Sequence, residues 1–60
     1  MNAKRRAKLD KIKDDLLELI EAEEEAFSNI PEFLAESEQG RTLMVNWDSL
    51  QQAYDELEAI

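Results

Sequence analysis

The sequence predicts an all-α protein: an antiparallel helical hairpin that pairs with a second copy into a four-helix bundle. Three observations lead to this fold class. The 60 residues include only one glycine and one proline, so long helices are possible. Apolar residues recur at steps of three and four in both halves of the chain. Six of the seven basic residues lie between Lys4 and Lys13, whereas fourteen of the fifteen acids lie from Asp14 onward, so a fold-back near the midpoint brings opposite charges together.

The first helix is expected over about residues 3–28. This stretch has no glycine or proline and consists mainly of strong helix formers. Its apolar stripe includes Leu9, Ile12, Leu16, Ile20 and Phe27. Residues 29–31 form the predicted turn, because Pro31 cannot continue a helix and favours an extended conformation in the residue before it.

The second arm is expected in two pieces, a short helix over about residues 31–38 and a longer one over about residues 42–59. Asn29 followed by Glu32 resembles a capping box at the start of the short helix. A break is predicted near Gly40, where the phase of the apolar pattern changes. A continuous second helix that contains Gly40 is the alternative. The stripe of the longer helix consists of Leu43, Trp47, Leu50, Tyr54 and Leu57.

A chain of 60 residues builds only a thin core. It has no cysteine for a disulfide and no histidine for a zinc site, so the usual means of stabilising a small domain are missing. Two helices that touch along one seam also leave half of each apolar stripe in water. We therefore expect a homodimer. The predicted self-association residues are Leu9, Ile12, Leu16, Ile20, Phe27, Leu50, Tyr54 and Leu57.

Composition disfavours several classes of function. Without histidine, cysteine or a glycine-rich phosphate loop, the common catalytic and metal-binding arrangements are missing. We therefore expect no enzymatic activity, no cofactor or metal, and no small-molecule substrate. No apolar run reaches the length of a signal-peptide core or of a membrane span. The expected location is the cytoplasm, without a membrane partner.

The charge pattern favours a protein partner. The net charge of −8 opposes binding to a nucleic-acid backbone and suits a basic protein surface. Acids concentrate around the turn, and nearby aromatic side chains offer apolar anchors. The candidate partner-binding residues are Glu24, Glu25, Glu32, Phe33, Glu36 and Trp47. In the competing interpretations, these acids only keep the protein soluble, or the six basic residues between Lys4 and Lys13 (the basic head) bind nucleic acid.

Glu23 lies in the middle of the apolar stripe of the first helix. A carboxylate buried there without a partner is costly. One interpretation is a polar layer in which Ser37 or Arg41 pairs with Glu23 and specifies the register of the hairpin. The other is a binding residue that pairs with an arginine of another protein. The sequence favours the polar layer.

Part of the chain resembles a protein family. The sequence EEEAFSNIPE at residues 23–32, together with the basic start, is similar to small acidic helical proteins of bacteria and their phages with the motif EExEAFxNIPExL. The match covers residues 2–40. The chain departs from the pattern at Phe33 and Ala35, where the family usually has serine and glutamine. The resemblance implies a helical hairpin and a mobile-element setting, and no assigned activity.

The expected function is non-enzymatic protein binding by a small phage or mobile-element protein. Such a protein would inhibit a host protein, for example a defence protein, through its acidic surface. A purely structural, self-associating helical protein is the first alternative. A nucleic-acid binder that uses the basic head is the second.

Overall fold

The computed structural model describes residues 1–31 and 36–60 as two α-helices packed in an antiparallel hairpin. Helix α1 spans Ala3–Ser28 and helix α2 spans Glu38–Glu58. The molecule measures 49 × 16 × 11 Å, as expected for two helices side by side, since the 26-residue α1 is about 39 Å long. The described residues contain no strand, and the all-α hairpin predicted from the sequence is confirmed.

Helix α1 is capped by asparagine at both ends. The Asn2 side chain accepts a hydrogen bond of 2.9 Å from the main-chain N–H of Arg5. At the other end, the N–H of Asn29 donates to the carbonyl of Glu25, and the N–H of Ile30 donates to the carbonyl of Phe27. Asn29 therefore closes α1. The capping box that the sequence predicts between Asn29 and Glu32 falls partly outside the described residues.

Helix α2 begins at Glu38, before the expected start near residue 42. The hydroxyl of Ser37 accepts a hydrogen bond of 3.3 Å from the N–H of Gly40, and the carbonyl of Ser37 accepts one of 2.9 Å from the N–H of Arg41. Gly40 thus lies inside the first turn of α2, which corrects the predicted break near this residue. The Ser37 cap starts the helix before the glycine. Gly40 is buried, and because it has no side chain, α1 can pack closely against it.

The expected short helix over about residues 31–38 falls mainly on residues 32–35, outside the described part of the chain. Two of the capping-box and partner-binding candidates, Glu32 and Phe33, lie there as well. Of the other residues, Glu36 and Ser37 form a turn and a bend directly before α2.

The helices pack along one seam with alternating steps of three and four residues, the spacing of a two-helix coiled coil. Its buried and half-buried members are Leu9, Lys13, Leu16, Ile20, Glu23 and Phe27 of α1, and Gly40, Leu43, Trp47, Leu50, Tyr54 and Leu57 of α2. Among the described apolar side chains, only Leu9, at 7% exposure, and Ile20, at 4%, are buried. The core is therefore a single row of side chains.

Much apolar surface remains exposed. The accessible surface is 4830 Å², whereas a compact chain of 7.0 kDa exposes about 4000 Å². The large exposed apolar side chains include Ile12, Leu17, Leu19, Met44 and Val45. Neither described helix contains a segment that is long and apolar enough to cross a membrane.

Candidate protein-interaction site at the loop end

The hairpin has two chemically different ends. The open end holds the start of α1 and the end of α2, and it carries the basic head. The loop end holds the end of α1 and the start of α2, and it carries the candidate partner-binding acids. The contacts at each end determine which charges are available to another molecule.

At the open end, basic side chains of α1 contact α2. The Nζ atom of Lys13 lies 3.6 Å from Oε1 of Glu58 and 3.8 Å from Oδ1 of Asp10. One η nitrogen of Arg6 donates a hydrogen bond of 3.0 Å to the main-chain oxygen of Ile60. The first turn of α1 has no acid and the last turn of α2 has no base, so each helix alone carries charges that oppose its dipole. The Lys13–Glu58 pair brings opposite charges of the two helices together, as the sequence predicts.

Tyr54 extends this network along α2. Its phenol hydrogen-bonds to the carboxylate of Glu58, and this bond raises the pKa of Tyr54 above the ordinary value of 10.0. Burial raises the pKa further, as do the negative charges of Glu58, Asp14 and Asp55. Because Glu58 also pairs with Lys13, one carboxylate connects a lysine of α1 with a tyrosine of α2.

At the loop end, the described candidate acids face solvent. Glu24 and Glu25 lie in the last turn of α1 and Glu36 lies just before α2, and all three are exposed. Trp47, the described aromatic candidate, is half-buried between the helices. The structure therefore brings these three acids to one end of the molecule, with the tryptophan in the adjoining seam.

A cleft of about 250 Å³ opens between the helices near the loop end. We call it the Glu23–Trp47 cleft. Its walls are formed by Glu23, Glu24, Phe27 and Ser28 of α1, and by Leu43, Met44 and Trp47 of α2. Most of this lining is apolar, so the two carboxyl groups lie against a largely hydrophobic wall.

Two buried polar atoms at this cleft have no hydrogen-bond partner among the described residues. They are Oε2 of Glu23 and Nε1 of Trp47. The carboxylate oxygen accepts hydrogen bonds and the indole N–H donates them. Buried polar atoms in folded proteins are nearly always hydrogen-bonded. An acceptor and a donor therefore remain unsatisfied in the same cleft.

The polar layer predicted around Glu23 is not formed at Oε2 of this residue. Ser37 caps α2 by accepting from Gly40. Arg41 lines a neighbouring cleft that it shares with Glu36.

The predicted self-association residues divide between the seam and the surface. Leu9 and Ile20 are buried inside the hairpin. Half-buried positions along the seam are occupied by Leu16, Phe27, Leu50, Tyr54 and Leu57. Ile12 is 50% exposed, and Leu19, one heptad later on the same side of α1, is 55% exposed. The surface open to a second copy is therefore the flank of α1 around Ile12 and Leu19.

This apolar flank lies on the face of the hairpin opposite to the cleft. At 100° per residue, Ile12 and Leu19 lie on one side of the α1 seam and Glu24 lies on the other. On α2, Leu50 and Leu57 lie toward the side of the seam away from Met44. Since Glu24 and Met44 line the same cleft, the apolar flank and the cleft occupy different faces.

Sequence analysis did not place Leu43 and Met44 in the cleft, or Lys13 in the seam between the helices. Leu43 and Met44 line the cleft, and Lys13 occupies a seam position. The heptad spacing contains a signal for Lys13, which lies four residues after Leu9 and three before Leu16. No comparable signal marks Met44, because its place in the cleft depends on the register between the helices.

Comparisons with protein-family models, with curated proteins and with solved structures find no match for this chain. The family resemblance of residues 2–40 stays a prediction. Function is therefore inferred from the geometry and charge of the loop end.

Proposed function

We propose that this chain is a non-enzymatic protein-binding module that attaches through its loop end to a basic surface of another protein. In this proposal it is a small cytoplasmic protein of a phage or mobile element, and it inhibits a host protein, such as a defence protein. The observation that carries the proposal is the group of exposed acids at the loop end. Glu24, Glu25 and Glu36 are exposed there, whereas at the open end Lys13 pairs with Glu58 of α2.

Electrostatics support a basic partner. The net charge is −8, and Arg41 is the only basic residue of the sequence after Lys13. Exposed carboxylates repel each other because they are all negatively charged, and they attract a basic surface at a distance. A partner that neutralises the loop end therefore relieves repulsion within the hairpin and gains contacts of its own.

Nucleic-acid binding through the basic head is less well supported. Lys13 and Arg6 contact oxygen atoms of α2 and the residue after its cap, and Nζ of Lys11 lies 3.6 Å from Asp15. Phosphate groups would have to compete with these contacts at three of the six basic residues. The large negative net charge opposes phosphate binding as well.

Affinity capture with charge-reversed variants tests the proposal. Purified chain immobilised at low salt is expected to retain a host protein that is released at high salt, because screening weakens contacts between exposed charges. The loop-end variant carries Glu24→Lys, Glu25→Lys and Glu36→Lys. A matched variant with the same change in charge elsewhere carries Glu18→Lys, Asp48→Lys and Glu56→Lys.

The loop-end variant should lose the captured protein, and the matched variant should keep it. Circular dichroism of both variants establishes that they are folded. Equal capture by the folded loop-end variant would refute a role for these acids. Added inhibition assays on the captured host protein then test whether binding blocks its activity.

Structural self-association is the second candidate function, and the exposed apolar surface favours it. The accessible surface of 4830 Å² exceeds that of a compact chain of this mass by about 800 Å². A protein in a standard interface contributes a similar area, about 800 Å². Packing of the flank around Ile12 and Leu19 against a second copy would yield the proposed four-helix bundle.

Mass-resolved size exclusion tests this candidate. Leu19→Glu introduces a charge into the apolar flank, and Val45→Glu introduces the same charge on the side of α2 that faces away from α1. Self-association through the flank predicts that Leu19→Glu is monomeric and that Val45→Glu remains dimeric. A wild-type chain that stays monomeric at every concentration contradicts it.

A further inference from the structure

We propose that the Glu23–Trp47 cleft binds one arginine side chain of the partner protein. This inference rests on the proposed function, since it names the chemistry by which a basic partner is held. It also differs from that function in one respect. The exposed acids act over long range, whereas the cleft would hold one particular side chain through direct contacts.

The size of the cleft suits a single long side chain. Its volume of about 250 Å³ is below the roughly 300–1000 Å³ of small-molecule and cofactor sites. The same volume is several times the share of one water molecule, about 30 Å³. The cleft is therefore larger than one water molecule needs and smaller than a typical small-molecule site, and an extended side chain with an apolar stem suits this volume.

The carboxylates select a positively charged group. Oε2 of Glu23 is buried without a hydrogen-bond partner among the described residues, and Glu24 lines the same cleft. A buried carboxylate is strongly stabilised by a cation that also donates hydrogen bonds. The guanidinium group of arginine presents several N–H donors in one plane, so it can serve both glutamates at once.

The aromatic walls favour arginine over lysine. Phe27 and Trp47 line the cleft on opposite helices. A guanidinium group is weakly hydrated and stacks on aromatic rings, whereas a lysine ammonium is compact and strongly hydrated. The apolar stem of an arginine would contact Leu43 and Met44, which complete the α2 wall.

The indole N–H of Trp47 accounts for the remaining unsatisfied atom. Arginine side chains offer no hydrogen-bond acceptor. The main-chain carbonyl groups of the segment that carries the arginine do offer acceptors. The donor at Trp47 and the acceptor at Glu23 therefore match an arginine within a polypeptide better than a free cation.

Arg41 is the cation closest in sequence to the α2 wall of the cleft, but it is not part of this site. It lines the neighbouring cleft with Glu36 and Gly40, and the lining of the Glu23–Trp47 cleft does not include it. Both clefts share Phe27 and Met44, so a bound partner segment could extend from one into the other.

The test uses the purified wild-type chain and a small probe, N-acetyl-arginine N-methylamide. Trp47 is the only tryptophan, so its fluorescence and its indole N–H resonance in NMR spectra report on the cleft alone. The expected result is a saturable change of both signals with a Kd of about 1 mM, typical of a ligand of this size. The citrulline analogue has the same shape without the charge, and it should bind roughly tenfold more weakly or worse.

Two isosteric variants separate the cleft from general charge. Glu23→Gln removes the buried carboxylate and should weaken the binding of the arginine probe at least about tenfold. Glu21→Gln removes one charge from an exposed position of the same helix, outside the cleft, and should leave the affinity unchanged. The NMR titration of the wild-type chain needs no variant, so the inference remains testable if Glu23→Gln does not fold.

Equal responses to the arginine and citrulline probes overturn the inference, as does no response at concentrations about a hundredfold above the expected Kd. A lower oligomeric mass of the Glu23→Gln variant also overturns the inference. In that case the arginine in the cleft would come from the basic head of a second copy and not from a partner protein. A chain that captures a host protein but ignores the arginine probe refutes this inference and leaves the proposed function standing. Failure of capture with a positive probe response refutes the proposed function instead.

Discussion

Each end of the hairpin places a charged residue in the seam between the helices, but the surroundings differ. At the open end, Lys13 is 18% exposed and has carboxylates on both helices within 4 Å. At the loop end, Glu23 lies among apolar and aromatic side chains, and its buried oxygen has no hydrogen-bond partner among the described residues. A seam charge with an opposite charge in reach stabilises the register, whereas one without a partner lowers stability and remains available for binding.

This contrast indicates a division of roles along the molecule. At the open end, contacts between basic and acidic residues bring the oppositely charged segments of the sequence together and hold α1 against α2. The loop end keeps unsatisfied polar atoms and exposed acids, as is common at sites that meet another molecule. Substitutions at the two ends should therefore have effects of opposite sign on stability.

The largest effect is expected in the core that both ends share. Ile20→Ala should lower the free energy of unfolding by about 2–5 kcal/mol, because it leaves a cavity in the single buried row. That loss approaches the whole stability of a domain of this size. Val45→Ala, at an exposed position on the side of α2 that faces away from α1, should cost under about 0.5 kcal/mol. Urea unfolding followed by circular dichroism measures both values; equal losses would mean that the row is not the core.

Removal of the seam charge at Glu23 should stabilise the hairpin. Glu23→Leu replaces a partly buried carboxylate with an apolar side chain at a seam position, and we expect a gain of about 1–2 kcal/mol in unfolding free energy. The same variant should no longer bind the arginine probe. Thermal unfolding checks the gain, and a loss of stability would instead reveal a stabilising partner of Glu23.

At the open end, removal of the seam charge should lower the unfolding free energy instead of raising it. Lys13→Gln removes the cation that faces Glu58 and Asp10, and a loss of about 1 kcal/mol is expected. Lys11→Gln is the matched control, because Lys11 pairs only within α1 and its side chain is 77% exposed. Its cost should stay under about 0.5 kcal/mol. Comparable losses in the two variants would show that the pairs across the seam contribute no more than a surface pair.

The smallest effect concerns the tyrosine of the open-end network. The folded state raises the pKa of Tyr54 above 10.0 through its hydrogen bond to Glu58, while the unfolded chain titrates near its ordinary value of about 10. The resulting stability is complete below the unfolded pKa and is lost as the pH rises through the folded pKa. Ultraviolet absorbance should therefore show tyrosinate forming at higher pH in the folded chain than in urea.

Tyr54→Phe isolates this contribution, since all other titrating groups are common to both proteins. The wild type should lose more stability than the variant as the pH rises beyond 10.0. If both proteins lose stability in parallel, the hydrogen bond to Glu58 does not contribute to folding.

The features predicted correctly from the sequence are those that depend on local preferences or on charge order. The absence of glycine and proline throughout α1 predicts a long helix, and Pro31 predicts a turn near the midpoint. The split between basic and acidic segments predicts contact between the ends, and the Lys13–Glu58 pair confirms it. These inferences need no knowledge of how the helices pack.

The start of α2 and the surroundings of Glu23 were not predictable in the same way. Glycine disfavours helices in isolation, so the sequence predicts a break near Gly40. In the hairpin the Ser37 cap and the burial of Gly40 outweigh that preference. The resulting shift of the helix start changes which residues lie near Glu23.

The amino-acid sequence alone thus determined the helical class, the turn and the attraction between the ends, because these depend on neighbouring residues and on the sum of charges. Only the tertiary structure decided which seam charge is paired. Residues on α1 and α2 meet according to the register of two packed helices, and a shift of one residue would move Trp47 and Glu23 to different neighbours. For this reason Oε2 of Glu23 and Nε1 of Trp47, which have no hydrogen-bond partner in the described part of the chain, share one cleft at the loop end, while Lys13 meets Glu58 and Asp10 at the open end.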